Sequence, residues 1–129
     1  MNNRAAQIVA LSAVTLTVSD IARSVPFYES LGFVQKAGPA VPGFASFELG
    51  GAAGAVGICY LNLLEGPHGA VNGWGRVILY VADVDAFYAH ALAAGATPEF
   101  APRDAPWGER YFHLVDPDGH ELSFARPLI

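Results

Sequence analysis

The chain repeats itself. "VSDIARSVPFYESLGF" (residues 18–33) and "VADVDAFYAHALAAGA" (residues 81–96) align without a gap at an offset of 83 − 20 = 63 residues. Val18 and Val81, Asp20 and Asp83, Ile21 and Val84, Leu31 and Ala94, Gly32 and Gly95 all fall in step. Each copy reads as a strand, an Asp able to cap the next helix, and an amphipathic helix closed by Gly. In the second copy Val84, Phe87, Tyr88, Ala91 and Leu92 follow the i, i+3, i+4, i+7, i+8 spacing of a core-facing stripe. In the first, Pro26 removes a backbone donor and clashes one turn back, so the helix either starts late, near Ser24, or is kinked there, and the late start is the expectation.

Strand-like segments follow each helix, separated by turn residues. They are expected at about 33–37, 44–49 and 56–64, split by "GPAVPG" and "GGAAG", and then at about 97–101, 110–115 and 121–125. The order β-α-β-β-β therefore occurs twice. A unit of ~60 residues present only twice is too long for a solenoid repeat, so a duplicated module is the economical reading. The expected fold is α+β: one domain over residues 1–129, with module one at about 8–66 and module two at about 73–127. A curved mixed sheet would surround a cavity, with the helices outside.

Composition removes several function classes. A net charge of −5, with only 7 scattered Lys and Arg, disfavours nucleic acid. The lone Cys59 forbids an intrachain disulfide and suits a reducing cytoplasm, and its apolar surroundings suggest a core residue rather than a nucleophile. The N-terminal apolar run lacks a signal-type cleavage site, and Val14, Leu16 and Val18 alternate with Ala13, Thr15 and Thr17, as in a half-buried strand. "GGAAGAVGICYLNLL" is too Gly-rich, and carries Asn62, to span a membrane. A soluble protein without a targeting segment is expected. Charged residues are only 15% of the chain, so some apolar surface should be covered by a partner, most simply a second copy in a homodimer.

"YFHLVDPDGHELSF" (residues 111–124) sets the register of the last hairpin. "DPDG" suits a type I turn with Gly119 at positive φ, closing a three-residue loop with a bulge. Val115 then pairs with Glu121, and His113 with Ser123. Tyr111, His113, Val115, Glu121 and Ser123 share one face; Phe112, Leu114, Leu122 and Phe124 share the other. The all-apolar face asks for a helix. The mixed face asks for water or a ligand, because an unpaired buried carboxylate is very costly. "RVILYV" splits likewise, with Arg76, Ile78 and Tyr80 opposite Val77, Leu79 and Val81.

These stretches resemble the vicinal oxygen chelate superfamily, which includes glyoxalase I, extradiol dioxygenases, and fosfomycin and bleomycin resistance proteins. The resemblance is carried by "VTLTVSDIARSVPFYESLGF", "GRVILYVADVDAFYAHALAAGA" and "PWGERYFHLVDPDGHELSF". It implies paired βαβββ modules, a cavity on the concave sheet and a homodimer. It also implies four metal-ligand positions: seven residues before each capping Asp, four beyond the Gly of DPDG, and one in the strand before the module boundary. In this chain they are Ala13, Arg76, Ser123, and Asn62 or Tyr60. Ala offers no donor and a guanidinium repels a cation, so no bound metal and no cofactor are expected there.

Each candidate side chain carries two readings. Arg76 binds a ligand carboxylate or phosphate bidentately, or pairs with Glu121. His113 is a ligand donor or general base, or bonds to Ser123. Glu121 belongs to the cavity or is a solvated hairpin-end carboxylate. Tyr60, Tyr80 and Tyr111 wall a planar ligand or are plain core. Trp107 forms a lid or packs its loop. His68 is expected to be solvated on a linker, His90 lies on a helix, and His120 faces away from the cavity. The leading expectation is a protein that binds a small anionic or aromatic molecule without a metal. The alternatives are a metal-dependent lyase or dioxygenase with atypical ligands, a metal-free acid–base catalyst using His113 and Arg76, and a subunit devoted to assembly.

Overall fold

The structure is a computed structural model, described here for residues 6, 8, 10–38, 40–50, 58–67 and 75–128. The elements follow as β1 (Ala13–Val18), α1 (Ile21–Ser30), β2 (Val34–Gln35), β3 (Phe44–Gly50), β4 (Ile58–Glu65), β5 (Arg76–Tyr80), α2 (Val84–Ala93), β6 (Arg103–Asp104), β7 (Glu109–Val115) and β8 (Glu121–Pro127). This is βαβββ twice. Each module has its own mixed four-stranded sheet, ordered β1-β4-β3-β2 and β5-β8-β7-β6, and no barrel closes among the described residues. The first strand of each module pairs in parallel with its last, Ala13 beside Tyr60 and Arg76 beside Glu121.

Both helices start where the duplication places them. Asp20 accepts from the Ala22 amide, and Asp83 from the Ala86 amide, each at 3.0 Å. The expected late start of the first helix is incorrect: α1 begins at Ile21 and carries Pro26 in its interior. Pro26 withholds one amide, but the Asp20 cap and the burial of Tyr28 and Leu31 hold the turn on either side of it. The expected strand at 97–101 is displaced to the two residues Arg103–Asp104, because "TPEF" turns before the chain can pair. Residues 51–57, which include the start of the expected strand at 56–64 and most of "GGAAG", lie outside the described residues, as do His68 and the linker after it.

The apolar faces are covered as the alternation requires. Phe112, Leu114, Leu122 and Phe124 are at most 1% exposed. Phe87 of α2 stacks on Phe124 at 4.4 Å between ring centroids, and Tyr88 meets Phe112 edge-on at 5.3 Å. In module one Tyr28, Phe33 and Phe47 form the equivalent aromatic cluster.

The β7–β8 register matches the turn reading: Val115 opposes Glu121, His113 opposes Ser123, and Gly119 takes φ +92°. The turn also joins the two modules. Buried Asp116 accepts from the Tyr28 hydroxyl of α1 at 2.7 Å, and from the amides of Asp118 and His120 at 2.9 Å. Asp118 accepts from the Ser19 amide (2.9 Å) and hydroxyl (2.6 Å) and from Arg23 (3.0 Å). His120, turned away from the open sheet face, donates through Nε2 to the Thr17 carbonyl at 2.7 Å. Burial and the neighbouring Asp116 carboxylate push the Tyr28 phenol far above its ordinary pKa, so it remains a donor.

Burial pushes the Asp118 carboxyl up, but the Ser19 hydroxyl and amide and the Arg23 cation outweigh it and hold it below the usual value. A carboxyl with a depressed folded pKa stabilises the fold above the unfolded value and loses that contribution as pH falls through the folded one. The unfolding midpoint should therefore fall on the acid side, below about pH 4. Asp118→Asn should flatten that arm of a midpoint-against-pH series, and an unchanged arm would show that Asp118 is not its source.

Candidate functional site

The face of sheet two not covered by α2 carries the polar residues singled out above. Parallel pairing of β5 with β8 sets Arg76 beside Glu121, and Ile78 beside Ser123. Antiparallel pairing of β7 adds His113 and Tyr111 to the same face. Arg76, Ile78, Trp107, Glu109, Tyr111, His113 and Ser123 line a hollow of ≈ 330 Å³.

Three polar contacts organise it. Arg76 Nε donates to Glu121 Oε1 at 2.5 Å. His113 Nδ1 lies 3.8 Å from that same oxygen and 3.6 Å from Glu99 Oε2. Arg76 is thus paired with Glu121, with 48% of its side chain still exposed toward the hollow. His113 meets Glu99 and Glu121 rather than Ser123. Its ring closes a triangle with those of Phe100 and Tyr111, 5.1 Å from each, while they lie 5.5 Å apart.

The charges divide unequally. Burial lifts the Glu99 carboxyl above its usual value, and the adjacent Glu121, in hydrogen bond and in charge, lifts it further. Burial acts on Glu121 in the same direction, but Arg76, Glu99 and His113 together hold it below the usual value. Burial lowers the His113 imidazole; the Glu121 charge opposes this, and Arg76 and Arg103 reinforce it. At neutral pH the arrangement is a neutral imidazole beside an ionised Glu121 paired with Arg76.

One lining carboxylate anchors two aromatic side chains. Glu109 accepts from Trp107 Nε1 at 2.9 Å and from the Tyr80 hydroxyl. Tyr80 is 65% and Trp107 67% exposed, and Trp107 lies 5.5 Å from Tyr111. Trp107 is therefore not packed into its loop.

Tyr60 and Asn62 do not join this group. They line a separate hollow of ≈ 650 Å³ on sheet one, with Ala13 and Lys36. There Ser46 donates to Asn62 at 2.7 Å, Asn62 donates to Thr15 at 3.3 Å, and the Lys36 ammonium lies 4.9 Å over the Tyr60 ring. Glu99, Glu109 and Lys36 were not singled out in the sequence. Glu99 and Lys36 sit outside the strand alternation, and Glu109 matters only through where Tyr80 and Trp107 end up.

The matched family model covers residues 10–124 and is described as the Glyoxalase/Bleomycin resistance protein/Dioxygenase superfamily. The chain belongs to this superfamily. A glyoxalase/bleomycin resistance protein/dioxygenase from Nocardioides is 25% identical, with a TM-score of 0.70 over 95% of this chain and 85% of that one. A bleomycin-binding protein solved with bleomycin is 24% identical, with a TM-score of 0.71 over 92% and 98%, a likeness of fold alone. An uncharacterized Mycobacterium bovis protein is 48% identical over 50 residues, which are 39% of this chain but only 33% of that relative.

The superfamily's metal positions can be tested on the donors present. Ala13 has no side-chain donor atom, Arg76 is a cation already bonded to Glu121, and Ser123 and either the Asn62 amide or the Tyr60 phenol are neutral oxygens in different modules. That set does not fit a divalent ion.

Proposed function

We propose that the chain binds a small organic molecule, planar and carrying an anionic group, in the hollow on sheet two. The supporting observation is the convergence of a half-exposed guanidinium, an imidazole and the Trp107 and Tyr111 rings on one uncovered sheet face. Arg76 supplies charge-assisted hydrogen bonds, Tyr111 and Trp107 supply flat apolar contact, and His113 and Ser123 orient the ligand. Recognition needs no metal at the superfamily's four positions. The bleomycin-bound relative supports small-molecule binding on this fold. Ile78, Tyr80 and Trp107, all more than half exposed, are surface for a second copy to cover, so the working form is a homodimer. The unpaired thiol of Cys59 supports a cytoplasmic setting.

The neutral His113 beside Arg76 favours a second reading, a metal-free acid–base catalyst in which Arg76 stabilises a developing oxyanion. A thermal-shift screen of chelator-treated protein against planar carboxylates and phosphates separates the two. Binding predicts a midpoint that rises with ligand concentration and an unchanged ligand after incubation. Conversion of the ligand would select the catalyst. No shift with any compound at millimolar concentration would sink both readings.

A further inference from the structure

We propose that Glu99, His113 and Glu121 form a binding site for one divalent transition-metal ion of the zinc class, carried wholly by module two. One ligand atom from each residue lies within 4.8 Å of the others. Tetrahedral ligands ~2.1 Å from a shared ion lie ~3.4 Å apart, so the 3.6 and 3.8 Å contacts of His113 Nδ1 need only a small contraction.

Three features mark this as a built site rather than a chance meeting of surface acids. The His113 side chain is only 12% exposed, and its ring makes no hydrogen bond within the usual limit to any described residue. The Glu99 amide donates to the His113 carbonyl at 2.8 Å, which pins the loop before β6 against β7. Phe100 and Tyr111 fix the plane of the imidazole. A neutral imidazole with two carboxylates is a donor set suited to Zn²⁺ and its neighbours.

The position differs from the superfamily's. Of its module-two positions, Ser123 lies opposite His113, whereas Glu121 lies one residue pair nearer the hairpin and Glu99 belongs to no strand. Arg76 opposes a cation here. It holds Glu121 Oε1, the oxygen 3.8 Å from His113 Nδ1, so an ion must share that oxygen with the guanidinium or draw the carboxylate from it, and Arg76 should weaken the site without abolishing it.

The test is calorimetric titration of Zn²⁺ into chelator-treated, dialysed protein with no organic ligand present, alongside Co²⁺ absorption. One ion per chain is expected. His113→Ala and Glu99→Gln should each weaken binding about tenfold or more and change the Co²⁺ spectrum. Arg76→Gln should tighten binding, and His90→Ala, on the exposed side of α2, should leave it unchanged. Circular dichroism establishes that each variant is folded. Absence of binding up to millimolar Zn²⁺, or binding that survives in folded His113→Ala, overturns the proposal. Because the organic-ligand screen uses chelator-treated protein, failure of either proposal leaves the other's result readable.

Discussion

Asp116→Ala should be the most damaging single substitution in the DPDG turn, lowering stability by about 3–5 kcal/mol. Asp116 is 4% exposed and accepts three hydrogen bonds. Truncating it leaves the fully buried Tyr28 hydroxyl and two amides without an acceptor. Each such group costs about 1–3 kcal/mol, and the joint between the modules loses its centre. Tyr28→Phe should cost less, about 1–2 kcal/mol, because it removes one donor and leaves Asp116 its two amides. The pair should also be non-additive. In the double variant no orphaned hydroxyl remains, so Asp116→Ala should cost less on the Tyr28→Phe background than alone. Urea unfolding of the four proteins measures the cycle. An additive cycle would mean that the 2.7 Å contact carries no stability of its own.

Arg76→Gln should have the largest effect on binding, weakening an anionic ligand from the screen about 10- to 100-fold, roughly 1.5–3 kcal/mol. The unfolding midpoint should hardly move, because the Arg76–Glu121 pair is partly exposed and such pairs contribute little. Glu121→Gln makes the converse prediction. It releases the guanidinium from its internal partner, so the same ligand should bind more tightly. Affinity measured for the two variants distinguishes recognition through Arg76 from a purely structural ion pair. In the structural case both substitutions would leave affinity unchanged. Removing Arg76 also takes away the main influence that holds the Glu121 carboxyl down, so that group should titrate at higher pH in Arg76→Gln.

Much of the architecture was legible because it rests on local chemistry. Asp83 marked the start of α2, since an Asp cap depends only on the next three residues, whereas the matching cap at Asp20 was set aside for a later start of α1 because of Pro26. DPDG dictated the β7–β8 register through its turn geometry, and period-two alternation then assigned His113 and Ser123 to one face and Phe112 and Phe124 to the other. The pairing of Arg76 with Glu121 was among the readings for the same reason: both positions follow from strand period and capping distance.

Pro26 shows where local reasoning stopped. Its helix penalty was read correctly in kind, but the cap before it and the burial of Tyr28 after it outweighed it, and burial is a sum over distant contacts. The site divides along the same line. Strand alternation selected the face that holds Arg76, Tyr111, His113 and Ser123, because a side chain's face is a property of its own strand. Only the tertiary structure brought Glu99 from a loop to His113, separated Tyr60 and Asn62 into a hollow on the other sheet, and docked the DPDG turn on Tyr28. These arrangements depend on how loops and modules pack across long sequence separations, which no periodicity encodes.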